Sequence, residues 1–180
     1  MGMAMKVLVT GGARSGKSFH AESLVVGEPV VTYVAPGPPP EVEDDPDWAA
    51  RVASHRSRRP GHWTTVESIE LPEAIAAAEG AVIVDCLGTW ITAQLDELDA
   101  WDAVQDDWEP VLRERIAAVA RAVAESERSI VVVTNEVGMG VVPEHRSGRL
   151  FRDMLGRANQ AVAAECDQVL LVVAGRVLTL

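Results

Sequence analysis

Five apolar runs punctuate the chain: Lys6–Thr10, Val30–Val34, Ala81–Asp85, Ser129–Thr134 and Gln168–Val173. They are rich in β-branched residues, and most lack apolar–polar alternation, as expected of strands covered on both faces. The intervals between them are long enough for helices, which predicts parallel strands joined by right-handed crossovers. The longest predicted helix is Trp108–Glu125, with Val111, Leu112, Ile116, Val119 and Val123 near helical spacing. That face suits packing on the sheet or on another subunit. A further helix is predicted to start at Asp45-Pro46 and end near Ser57, before Pro60, with Trp48, Val52 and His55 on one side. Near the C-terminus, Ala174-Gly175 predicts a hairpin turn and an antiparallel edge strand. The pattern gives an α/β fold, a mostly parallel central sheet in a single domain over residues 1–180.

Composition narrows the function classes. With 180 residues, 48% of them hydrophobic, the chain can bury one substantial core. A net charge of −11 argues against a general nucleic-acid or anionic-membrane binder. No apolar run approaches the ~20 residues that span a bilayer. Cys86 and Cys166 lie far apart and outside any C-x-x-C spacing, so they read as buried thiols of a reduced, cytoplasmic protein.

The first apolar run leads into Gly11-Gly12-Ala13-Arg14-Ser15-Gly16-Lys17-Ser18, which fits the phosphate-loop pattern G-x4-G-K-[ST]. Glycine lets such a loop curl close to an anion, and the following helix N-terminus supplies backbone N–H groups and a favourable dipole. Lys17 is the expected partner of the β- and γ-phosphates and Ser18 an expected Mg²⁺ ligand. Asp85 closes "AVIVD", the position of a Walker B carboxylate, and is the second expected Mg²⁺ ligand. The rival reading of Asp85 is a turn or helix cap. These residues predict a nucleoside triphosphate bound with Mg²⁺ and leave the reaction open.

"DWAARVASHRSRRPGHW", Asp47 to Trp63, carries Arg51, Arg56, Arg58 and Arg59 with no acid after Asp47. In an acidic chain this cluster predicts a phosphate clamp. His55 sits among these guanidinium groups, which favour a neutral imidazole able to attack a nucleotide's α-phosphate. The alternative is a surface or packing histidine. His20, His62 and His145 are scattered and offer no metal-binding spacing.

Three stretches together resemble one family: "VTGGARSGKS", "ARVASHRSRRPGHWTTVE" and "VVVTNEVGMGVVPEHRSGRLFRDMLGRANQ", with "VLLVVAGRVLTL" closing the chain. The family is the bifunctional adenosylcobinamide kinase and adenosylcobinamide-phosphate guanylyltransferase of cobalamin biosynthesis. The resemblance implies a P-loop NTPase fold similar to RecA. It implies phosphorylation of adenosylcobinamide by ATP or GTP. Transfer of GMP from GTP onto adenosylcobinamide phosphate would follow, through a guanylylated His55. Implied nucleotide contacts are Gly11 to Ser18, Pro36, Gly37, Pro38, Arg56, Ser57, Arg58, Arg59, Glu67 and Asp85. A homotrimer is also implied. The chain departs from many relatives in having Asp85 where they have glutamate. It also has prolines after its second strand and a single histidine at Ser54-His55.

Asn135 and Glu136 follow a core strand at the sheet's C-terminal edge, where α/β folds bind ligands. They fit either a catalytic role or a structural turn. Three rivals to the bifunctional enzyme stay open: a small-molecule kinase in which His55 is incidental, a guanylyltransferase that has lost its kinase step, and a GTP-dependent regulatory protein. Transfer at both the γ- and the α-phosphate would require repositioning, and the Arg51–Arg59 helix is the natural element to move.

Overall fold

The computed structural model describes residues 4–37 and 46–180. Pro38 and the rest of the proline-rich segment through residue 45 lie outside the described residues, as do the side chains of Trp48 and Arg51. The elements, in order, are β1 (Lys6–Gly11), α1 (Lys17–Val25), β2 (Val31–Ala35), α2 (Pro46–Arg58), β3 (Thr64–Glu67), α3 (Leu71–Ala77) and β4 (Ala81–Asp85). They continue with α4 (Leu87–Glu97), α5 (Gln105–Glu125), β5 (Ile130–Val133), α6 (Arg146–Ala163), β6 (Gln168–Val173) and β7 (Arg176–Thr179).

The strands form one sheet in the order β3-β2-β4-β5-β1-β6-β7. All pairings are parallel except β6–β7, which turns at Ala174-Gly175 as expected. Both turn residues have positive φ, 49° and 74°, a conformation glycine adopts readily. Successive strand residues face opposite sides. Leu8, Val34, Val82, Val84, Ile130 and Val132 pack with apolar residues of α3, α4, α5 and α6. Val7, Val9, Val31, Tyr33, Ile83, Val131 and Val133 pack with Ala21 and Val25 of α1 and with Trp63.

The five expected strands are present within a residue of their expected ends. β3 was not among them: its residues Thr64-Thr-Val-Glu are mostly exposed at the sheet edge, so no apolar run announces it. α5 begins at Gln105, ahead of the expected Trp108. Its buried stripe is Trp108, Leu112, Ile116, Val119, Ala120 and Val123, all inside the chain's own core. Val111 falls off that stripe and is 44% exposed, because it stands one position, or about 100°, from Leu112.

Candidate active site

β1 is buried and ends at Gly11, from which the loop Gly12–Gly16 leads into α1. A Cβ on Gly11 would stand 2.4 Å from the Val172 carbonyl oxygen and 2.7 Å from Ser15 Oγ, so only hydrogen fits there. Arg14 and Gly16 take left-handed φ values of 55° and 96°, which curl the loop. Lys17 is only 6% exposed, and its Nζ donates to the Gly12 carbonyl at 3.2 Å. Among the described residues Ser15 Oγ has no hydrogen-bond partner, although it is buried. The geometry is that of an anion cradle at a helix N-terminus.

This cradle shares a cavity of about 750 Å³ with α2. Arg14, Ser15, Gly16, Lys17, Ser18 and Phe19 line one side, and Asp47, Ala50, Ser54, His55 and Arg58 line the other. The two segments read separately from the sequence therefore face one space. Gly12 and Ala13 are exposed and do not line it.

The arginines divide their work. Arg58 lines the cavity and bridges to Glu22 of α1 at 3.3 Å. Burial pushes the Glu22 carboxyl above its ordinary pKa, with Arg58 acting against that rise. Arg56 pairs with Glu67 at the end of β3, so two expected nucleotide contacts hold each other. Arg59 lies 3.4 Å over the centroid of the Tyr33 ring and donates to Thr65 Oγ1 at 3.0 Å. Ser57 donates to the Ser54 carbonyl at 3.0 Å within α2. Pro36 and Gly37 follow β2, with Pro36 buried. Pro38 is outside the described residues.

His55 does not sit among guanidinium groups alone: its Nδ1 is 3.8 Å from Asp85 Oδ2. The sheet explains this, because β4 pairs with β2 and carries Asp85 to the edge that α2 covers. The same Asp85 oxygen accepts a 2.7 Å hydrogen bond from Tyr33 of β2. Asp85 is not among the cavity-lining residues, whereas His55 is. Tyr33 and Glu22 were missed by sequence reasoning. Glu22 stands four residues after Ser18 on α1, a spacing that returns it to the same face. Tyr33 is the chain's one tyrosine, set within a buried strand whose other residues are Val31, Thr32, Val34 and Ala35.

The two cysteines are unpaired. Burial, then neighbouring Asp85, pushes the Cys86 thiol up. Burial, then Asp167, pushes Cys166 to about 12. Neither is a thiolate nucleophile at neutral pH. Asn135 and Glu136 are braced structurally. The Glu136 backbone N–H donates to the Gly11 carbonyl at 3.2 Å, and Asn159 donates to the Asn135 carbonyl at 3.1 Å.

Among the described residues no group of three or more His, Cys, Asp or Glu could hold a metal. Ser18 and Asp85 nevertheless offer the hard oxygen donors that suit Mg²⁺. That donor set fits an ion taking most of its ligands from phosphate and water. Among the described residues no helix is long and apolar enough to cross a membrane.

Fold and site together define a P-loop NTPase-type nucleotide-binding protein, with strand β5 inserted between the phosphate-loop strand and the Asp85 strand. Two structural neighbours support the fold alone. One is a prototypical ATPase of the type III secretion system of pathogenic bacteria, with TM-score 0.56 at 10% identity, covering 95% of this chain and 51% of that one. The other is the assembled ATPase EscN from enteropathogenic Escherichia coli, with TM-score 0.56 at 11% identity, covering 97% and 44%. A family model described as cobinamide kinase / cobinamide phosphate guanyltransferase matches residues 7–180, and the chain belongs to that family. It is 41% identical to the bifunctional adenosylcobalamin biosynthesis protein CobU of Salmonella typhimurium, over 95% of this chain and 97% of that protein. It is 42% identical to CobU of Escherichia coli, with the same coverage. The bifunctional protein CobP of Pseudomonas aeruginosa is 37% identical over 95% of this chain and 94% of its own length.

Proposed function

We propose that the chain phosphorylates adenosylcobinamide from ATP or GTP and then transfers GMP from GTP to adenosylcobinamide phosphate through guanylylated His55. The observation that carries this reading is the cavity bounded by both the phosphate loop and His55. A small-molecule kinase or a GTP switch has no need of an imidazole opposite the phosphate cradle.

In the kinase step the loop N–H groups and Lys17 hold the triphosphate while the substrate hydroxyl attacks the γ-phosphorus. The new O–P bond replaces the bond to the departing diphosphate, and the hydroxyl proton leaves. In the second step His55 attacks the α-phosphorus of GTP, and the P–O electron pair departs with pyrophosphate. A phosphate oxygen of adenosylcobinamide phosphate then attacks the same phosphorus, and the P–N electron pair returns to the ring. Ser18 and Asp85 would hold Mg²⁺, whose charge neutralises phosphate oxygens when bound. A homotrimer in the cytoplasm completes the reading, supported by family resemblance and by the unpaired thiols.

Intact-mass measurement after exposure to GTP tests it. The wild-type protein should gain a GMP adduct that is acid-labile and alkali-stable, and adenosylcobinamide phosphate should discharge it. His55→Asn should form no adduct, losing several orders of magnitude in guanylyl transfer. It should keep a substantial part of the kinase rate, since that step needs no imidazole. An adduct on folded His55→Asn protein, or equal loss of both activities, would remove His55 from the mechanism.

A further inference from the structure

The chemistry proposed for His55 leaves one demand unassigned. A neutral imidazole that attacks phosphorus through one nitrogen while keeping its proton on the other becomes a cationic phosphoimidazolium. That intermediate needs a fixed tautomer before attack and a negative charge beside the protonated nitrogen afterwards. Both demands point to whatever faces the second ring nitrogen.

Asp85 Oδ2 stands 3.8 Å from His55 Nδ1. This is longer than a hydrogen bond, and catalytic contacts of this kind tighten once a substrate is seated. The carboxylate is itself held: Tyr33, 1% exposed, donates its phenol to the same Oδ2 at 2.7 Å. The ring is clamped in turn by the Arg59 guanidinium at 3.4 Å. Asp85 is absent from the cavity lining, in which His55 stands.

Resting on the His55 reading above, we propose that Tyr33 and Asp85 form a positioning relay for His55. Tyr33 fixes the carboxylate, and the carboxylate fixes the ring with hydrogen on Nδ1 and the lone pair on Nε2. Nε2 then forms the bond to the α-phosphorus as the pyrophosphate P–O bond breaks. No proton leaves the ring, and the cation formed faces Asp85. When the acceptor phosphate attacks, the P–N electron pair returns to Nε2 and the neutral tautomer is restored. Tyr33 is thus a positioning residue for guanylyl transfer; in γ-phosphoryl transfer it reaches the chemistry only through Asp85 as a Mg²⁺ ligand.

Tyr33→Phe removes one hydroxyl and keeps the ring beneath Arg59. A lost hydrogen bond to a charged group corresponds to about a tenfold to hundredfold rate effect. The single-turnover rate of GMP-adduct formation should fall by about that factor relative to the kinase rate of the same protein, with KM for GTP little changed. Equal loss in both steps would mean that Tyr33 serves a Mg²⁺-ligand or folding role, and would overturn the relay. An unchanged ratio would also overturn it. Nitrogen NMR of the wild-type histidine ring, assigned by difference from His55→Asn, tests the same claim without disturbing the core. The neutral form should carry its proton on Nδ1, and a dominant Nε2–H tautomer would sink the proposal. If wild-type protein forms no adduct at all, the His55 reading itself has failed. An adduct with an unchanged Tyr33→Phe ratio fails the relay alone.

Discussion

At the scale of single residues, the cavity separates groups that serve both reactions from groups that serve one. Lys17 belongs to the first kind. Its ammonium is buried in the loop and rests on the Gly12 carbonyl at 3.2 Å, a contact that phosphate oxygens can replace with charge-assisted bonds. Lys17→Ala should therefore weaken triphosphate binding and slow both steps, each by about tenfold to hundredfold or more. Calorimetric titration with GTP and parallel assays of the two transfers check this. Wild-type rates in either step would show that the two reactions do not share the loop. In the proposed mechanism His55 belongs to the second kind, because only α-phosphorus attack requires its ring, and Tyr33 joins it by acting on that ring through Asp85. Their variants should split the activities where Lys17→Ala does not.

Among the elements, the β6–β7 hairpin braces the phosphate loop. The Gly175 N–H donates to the Ser15 carbonyl at 2.8 Å, and the Val172 carbonyl occupies the space a Cβ on Gly11 would need. Gly11→Ala should push the loop off the hairpin, costing about 1–3 kcal/mol by overpacking, together with nucleotide affinity. Gly140, where no described residue beyond its chain neighbours lies within 4 Å of an added Cβ, is the matched control. Thermal melts with and without GTP should show loss in Gly11→Ala and little change in Gly140→Ala. Equal stability of the two variants would mean that the loop gives way freely. The phosphate loop, the central strands and the hairpin turn were legible because each is written in neighbouring residues. β3 was not, since an exposed edge strand carries no apolar run. Nor was the Tyr33–Asp85–His55 contact: β2 and β4 become neighbours only through sheet order, and α2 reaches them only in three dimensions. The expectation that His55 sits among guanidinium groups left out this carboxylate for that reason.

For the whole molecule, the question is how one cavity presents first a γ- and then an α-phosphorus. β1, β4 and β5 are buried at the centre of the sheet, whereas none of the described side chains of α2 is buried. α2 is tied to the rest by polar contacts from its C-terminal end and the residue beyond. Among them are Arg56 to Glu67, Arg58 to Glu22, His55 beside Asp85 and Arg59 on Tyr33. An element whose described side chains are all at least partly exposed opens at low free-energy cost, well below global unfolding. In hydrogen exchange, the amides of α2 should therefore exchange faster than those of β1, β4 and β5 in the free protein. GTP touching both the loop and α2 should slow α2 selectively. Protection scales as RT ln(1 + [L]/Kd), about 2.7 kcal/mol at a hundredfold excess over Kd, or roughly a hundredfold slower exchange if opening abolishes binding. A triphosphate that engages only the loop, as in γ-phosphoryl transfer, should protect α1 and leave α2 closer to its free rate. Glu22→Gln removes the charge that holds Arg58 to α1, so it should speed α2 exchange in the free protein. Uniform protection of α1 and α2 by every triphosphate would mean that the cavity is preformed and that α2 does not reposition between the two transfers.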